Sequence, residues 1–126
     1  MSKWVFDASA VLAVLQMEPG HERMLEMLSG AFISTVNIAE VLSKLAERDK
    51  VTKQDLRDVE AFGLEIVDFD IEQASVAAAL RSHTRHLGLS LGDRSCLALA
   101  VIKGATAITT DKAWKKVDIC PVKVMR

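Results

Sequence analysis

Short β-rich runs alternate with longer stretches patterned for helix along the whole chain. Lys3-Trp4-Val5-Phe6 is the first such run, and Ala8 to Met17 then turns helical before the Pro19-Gly20 break. A second helical stretch covers His21 to Leu28 and ends at Gly30, after which Ala31-Phe32-Ile33-Ser34 reads as strand. Ile38, Val41, Leu42 and Leu45 then fall at i, i+3, i+4 and i+7, one apolar stripe of a helix running to about Lys50. Thr52 followed by Asp55 is a capping-box pattern opening a further helix to about Phe62, and the two helices should form a hairpin. Ile66-Val67 is a short strand, and Asp70 can cap an Ala-rich helix that continues to about Thr84. From Leu91 to Ile102 the residues are nearly all apolar, which for a helix means burial on most sides. Ala107-Ile108-Thr109 reads as strand, Lys112 to Lys116 as one helical turn, and Pro121 to Val124 as an edge strand, where a proline is tolerated. This order implies an α/β fold: a central parallel sheet with helices on both faces. The 126 residues, 50% of them hydrophobic, suffice to bury a core and suggest a single domain spanning 1–126.

Charge and targeting signals narrow the function classes. Lys and Arg number 16 against 17 Asp and Glu, so no global basic field marks a nucleic-acid binder and any such contact must be local. The apolar run Trp4 to Leu15 is interrupted by Asp7, and Gln16-Met17-Glu18 offers no small-residue cleavage site, so it reads as folded protein and not as a signal peptide. No apolar stretch reaches the roughly 18 to 20 uncharged residues of a membrane-spanning helix. Cys96 and Cys120 lack C-x-x-C spacing, and a chain with this core needs no disulfide. The cytoplasm is the expected address, with no membrane partner.

Four acids stand out by position. Asp7 ends the first strand, Asp111 follows the last central strand, Glu40 sits in the first turns of the third helix, and Asp93 sits in the first turn of the buried helix. Ligands of open α/β sheets bind outside the carboxyl ends of the strands, the edge to which all four belong. Each also has a plain structural explanation. Asn37-x-x-Glu40 and Ser90-x-x-Asp93 fit capping boxes, and Asp7 and Asp111 could be N-cap or turn acids. Capping does not, however, require Glu40 to be embedded in Ile38-Ala39-Glu40-Val41-Leu42, nor Asp93 to lead into Cys96-Leu97-Ala98-Leu99-Ala100. Acids at the mouth of an apolar core repel one another and lose solvation, and a cation would relieve both. Hard oxygen ligands without matching His or Cys favour Mg²⁺ or Mn²⁺ over zinc.

The set Phe6-Asp7-Ala8-Ser9-Ala10, Asn37-Ile38-Ala39-Glu40, Leu91-Gly92-Asp93 and Ile108-Thr109-Thr110-Asp111 closely resembles the PIN-domain nucleases, particularly the VapC toxins of bacterial toxin–antitoxin pairs. Order and spacing match over essentially the whole chain. The resemblance implies a PIN-like three-layer α/β/α fold in which Asp7, Glu40, Asp93 and Asp111 form a metal-binding catalytic quartet, with Ser9 and Thr109 as supporting hydroxyls. It implies Mg²⁺-dependent cleavage of RNA, leaving 5′-phosphate and 3′-hydroxyl ends, in which the metal activates water and neutralises charge at the phosphate. It also implies a homodimer neutralised by a cognate VapB-type antitoxin. The exposed faces of the helices before Gly30 and of the Val36 to Phe62 hairpin are the candidate groove for that partner.

Other signals compete. Gly88-Leu89-Ser90-Leu91-Gly92 matches a nucleophile elbow, but a helix precedes it instead of a strand, and His21, His83 and His86 all come before Ser90. Phe6-Asp7-Ala8-Ser9 resembles the opening of haloacid-dehalogenase-like phosphatases, yet Ser9 stands where a general acid is needed. A receiver-like phosphoacceptor signalling domain fits the length but leaves Glu40 unexplained. His83 and His86 read as a solvated helix end, and Met17, Met24 and Met27 as core or interface filler. Lys44, Arg48, Lys50, Lys53 and Arg57 read as the wet face of the hairpin. For contacts to RNA phosphates the preferred candidates are Arg81, Arg85, Arg94, Lys112, Lys115 and Lys116.

Overall fold

The computed structural model describes residues 3–48 and 53–125. Strands β1 (Trp4–Phe6), β2 (Phe32–Ser34), β3 (Glu65–Val67), β4 (Thr106–Thr109) and β5 (Val122–Val124) form one sheet in the order β3-β2-β1-β4-β5. Every neighbouring pair is parallel. Between them run helices α1 (Ala8–Leu15), α2 (His21–Leu28), α3 (Thr35–Arg48), α4 (Lys53–Glu60), α5 (Ile71–Thr84) and α6 (Leu91–Lys103), with 3₁₀ turns at Arg85–Leu87 and Lys112–Lys116.

Alternation along the strands divides the core between the two sheet faces. Phe6, Ile33 and Ile108 pack with Ala10, Val11, Met24, Leu28 and Val41 on one face. Val5 and Ala107 pack with Ala77, Leu97, Leu99 and Trp114 on the other. The result is the three-layer α/β/α arrangement, with α1 to α4 on one side and α5 and α6 on the other. Helix α6 is buried continuously from Ser95 to Ala100, and Pro121 leads into β5 at the sheet edge. Among the described residues no helix is long and apolar enough to cross a membrane. Cys96 is buried, Cys120 is half-buried, and neither forms a disulfide.

Topology places the functional edge. The chain starts at the centre of the sheet, moves out through β2 and β3, then returns by α5 and α6 to lay β4 on the other flank of β1. The order therefore reverses beside β1, and the crevice of such a sheet opens at the carboxyl ends of the strands flanking that switch point.

Three local expectations change. Helix α1 ends at Leu15, and Met17, at φ 50° and 73% exposed, forms part of the turn and is not core filler. Met24 is fully buried and Met27 packs against the core. Helix α3 begins at Thr35, so Asn37 lies inside it and Asn37-x-x-Glu40 is not a capping box. Lys50 and Thr52, with the capping pattern assigned to Thr52, lie outside the described residues.

Candidate functional site

Asp7 is the first residue after β1 and the N-cap of α1, where its Oδ1 accepts from the Ala10 N–H at 2.8 Å. Being 4% exposed, it depends on further donors, and the neighbouring hydroxyls supply them. The Ser9 hydroxyl lies 2.7 and 2.9 Å from the two carboxylate oxygens, and Thr109 donates to Oδ2 at 2.5 Å. Both hydroxyls are themselves fixed by the end of β4: Ser9 Oγ accepts from the Thr110 N–H, and Thr109 Oγ1 from the Asp111 N–H. Burial pushes the Asp7 carboxyl up to about 6; hydrogen bonds from Thr109, Ala10 and Ser9 oppose the rise, and the charge of Asp93 adds to it.

Glu40 is set from a different direction. The buried Asn37 amide donates to Glu40 Oε1 at 2.7 Å and to the Gly92 carbonyl at 3.1 Å, tying one turn of α3 to the first turn of α6. Gly92 is required here for space. A Cβ at that position would overlap the Glu40 carboxylate, so the missing side chain is what lets the carboxylate lie against α6. Burial raises the Glu40 pKa, the Asn37 hydrogen bond lowers it, and the Asp93 charge raises it again. Asn37 Oδ1 is buried without a hydrogen-bond partner.

The other two acids are caps as well as cavity residues. Asp93 completes a reciprocal capping box with Ser90: its carboxylate accepts from the Ser90 N–H at 3.0 Å, and Ser90 Oγ accepts from the Asp93 N–H at 3.1 Å. This geometry leaves Ser90 as a cap, not a nucleophile on a strand-to-helix elbow. Asp111 caps the Lys112–Lys116 turn by accepting from the Ala113 N–H.

All four acids nevertheless line one cavity of about 500 Å³, together with Ser9, Leu12 and Ala39. Ser43, Lys44 and Glu47 line it too, and these the sequence reading missed. The available signal was spacing, because positions 40, 43, 44 and 47 fall on one face of a helix. Lys44 is therefore not merely the wet face of a hairpin; it faces the acids, 3.7 Å from Glu47. None of Arg81, Arg85, Arg94, Lys112, Lys115 or Lys116 lines this cavity. The three arginines gather around a second hollow, and Lys116 borders a third with His83 and His86.

Among the described residues, no group of three or more His, Cys, Asp or Glu side chains is drawn close enough to hold a metal ion as it stands. The chemistry of the donors fits a hard divalent cation all the same. They are carboxylate oxygens with no nitrogen or sulfur among them, and Asp93 raises the proton affinity of both Asp7 and Glu40. That is the electrostatic condition a cation relieves.

The PIN domain family model matches residues 4–119. No curated protein matches. Among solved structures the chain is similar to the DNA-bound VapBC of Salmonella typhimurium, at 20% identity over 100% of both chains and a TM-score of 0.76. It is similar as well to a toxin–antitoxin complex from Klebsiella pneumoniae, at 21% identity over 97% of both chains and a TM-score of 0.75. VapBC-5 of Mycobacterium tuberculosis aligns at 21% identity, covering 100% of this chain and 99% of that one, with a TM-score of 0.61. At these identities the likeness is one of fold.

Proposed function

Since this chain belongs to the PIN-domain family, we propose that it is a metal-dependent endoribonuclease hydrolysing RNA phosphodiester bonds, and the VapC-type toxin of a toxin–antitoxin pair. The observation that carries this reading is the convergence of Asp7, Glu40, Asp93 and Asp111 on one cavity at the switch point of the sheet.

The chain's own contribution is to hold four carboxylates in place. Asp7 is fixed by Ser9 and Thr109, and Glu40 by Asn37 and the open space over Gly92. Asp93 and Asp111 are oriented by the caps they form, which leave each carboxylate further lone pairs to offer. These four would hold Mg²⁺, or Mn²⁺, which when bound supplies positive charge at the phosphate and an acidified water. Leu12, half-buried against the core, gives the cavity an apolar wall that lowers the local dielectric beside the acids.

A homodimer in the cytoplasm, restrained by a VapB-type antitoxin, completes the proposal; the likeness to VapBC complexes supports the antitoxin partner. Leu25 on α2 and Leu56 on α4 expose apolar surface on the segments assigned to that partner.

The test is to incubate the pure protein with total cellular RNA in Mg²⁺ or in EDTA and map the cut ends. Cleavage should require the metal, and Asp7→Asn, Glu40→Gln and Asp93→Asn should each depress it about a hundredfold or more, with a smaller loss for the exposed Asp111→Asn. A folded variant of Asp7, Glu40 or Asp93 with full activity would remove the quartet.

A further inference from the structure

The second hollow, of about 290 Å³, has a charge opposite to that of the acid cavity. Arg81, Arg85 and Arg94 line it with Thr84, Gly88 and Ser90, and no acid is among its lining residues. Arg81 and Arg85 are one turn apart on the same face, because Arg85 keeps α-helical dihedrals at the end of α5. Gly88, at φ +65°, ends the 3₁₀ turn and bends the chain back toward α6, which brings Arg94 to the other side of the hollow.

These charges are left uncompensated. Among the described residues, none of the three arginines has a carboxylate partner within salt-bridge distance. Arg94 is nonetheless held in place, since one terminal nitrogen donates to the Ala77 carbonyl at 2.9 Å while its Nε is buried with no acceptor. Three guanidinium groups around one concavity, short of acceptors, form a receptor for an anion with several oxygens, because guanidinium forks match phosphate geometry.

Position says which anion. Ser90, which lines the hollow, and Asp93, which lines the acid cavity, are the two halves of one capping box, so both sites border the first turn of α6. We infer that the Arg81–Arg85–Arg94 hollow seats a backbone phosphate of the RNA strand flanking the scissile bond. This rests on the ribonuclease reading and adds to it the place where the substrate's next charges are held. Phosphate contacts of this kind fix register without reading bases.

The test uses the full chain, a mixed-sequence single-stranded oligoribonucleotide, and the exposed pair Arg81→Ala/Arg85→Ala, which leaves the anchored Arg94 and the acids untouched. Binding is followed by fluorescence anisotropy in EDTA across a salt series, and cleavage is followed in Mg²⁺. The double variant should bind about tenfold more weakly at low salt, and its log K against log salt slope should be shallower by about 0.7 for each phosphate no longer neutralised. In cleavage, KM should rise while kcat holds, and Arg81→Lys/Arg85→Lys should restore most of the salt slope. Basic residues in a helix's last turn also favour its C-terminus, so melting is measured in parallel. A lower melting temperature with unchanged RNA binding would overturn the inference in favour of that structural role. So would unaltered RNA binding with weakened affinity for a partner protein. If the wild type cleaves RNA but the double variant matches it throughout, the inference alone falls; a wild type that neither binds nor cleaves RNA removes the ribonuclease reading as well.

Discussion

Asp7 and Asp93 share a cavity but are built into it differently. Asp7 is buried under β1 and β4 and surrounded by donors from Ser9, Ala10 and Thr109, and burial still raises its pKa. Asp93 stands at the partly exposed start of α6, held by a reciprocal bond to a single residue. The inner acid is costly to ionise and is held by tertiary structure; the outer acid is held by local structure that any helix start could offer. An acidic site of this kind is assembled by setting one deeply buried carboxylate and adding others whose local duties already orient them.

The comparison can be broken most directly at Asp7. Its folded pKa is raised from 3.8 to about 6, so the stability contributed by this group is fully present below pH 3.8 and lost as pH rises through about 6. In metal-free protein the loss should be on the order of 3 kcal/mol, read as falling thermal stability in EDTA between about pH 4 and 7. Asp7→Asn, which cannot titrate, should flatten that profile relative to wild type. A wild-type profile as flat as the variant's would mean that the donors around Asp7 fully offset its burial.

A nearly equal effect, on activity this time, is expected from Gly92→Ala. The new methyl occupies the space of the Glu40 carboxylate, which can swing away at little cost to folding. Cleavage should fall about a hundredfold, approaching Glu40→Gln, while the melting temperature holds or rises because alanine favours helix by roughly 1 kcal/mol. Full activity in Gly92→Ala would show that Glu40 need not lie against α6.

The smallest effect, that of Ser90→Ala, separates capping from chemistry at Asp93. Ser90→Ala removes the cap acceptor and should cost about 1 kcal/mol of stability, with cleavage within a few-fold of wild type. Asp93→Asn keeps an oxygen for the Ser90 N–H and relieves repulsion with Asp7 and Glu40, so in EDTA it should be no less stable than wild type, yet nearly inactive in Mg²⁺. If the two variants lose activity in proportion to stability, Asp93 is only a cap.

These contrasts also show what the sequence could and could not carry. The alternation of strands and helices is legible because period and breakers are local, and the parallel sheet follows from it. The capping boxes are legible for the same reason, and the pattern is right at Ser90–Asp93 and wrong at Asn37–Glu40, where α3 starts three residues earlier than the pattern needs. The Asn37 bridge to the Gly92 carbonyl spans 55 residues, and nothing in either segment announces it. Lys44 escapes a sequence reading because interleaved charge usually marks a solvated face; the sheet edge beside α3 turns that face into a cavity wall. Proximity in sequence groups the six basic candidates with the acids, whereas the fold sends three of them to a separate hollow.

The network under Asp7 has a dynamic consequence. The Asp7 N–H is bonded to the Ile108 carbonyl, while Ser9 and Thr109 join its carboxylate to the backbone at the end of β4. The cavity floor is therefore part of the pairing between the two central strands and cannot loosen by a local fluctuation of its own. Exchange of the amide hydrogens at Asp7, Thr110 and Asp111 should follow the slowest, global opening of the domain, unlike that of frayed helix ends. A floor this firmly coupled leaves little room for control by distortion, so the proposed antitoxin would act by occlusion at the cavity's mouth.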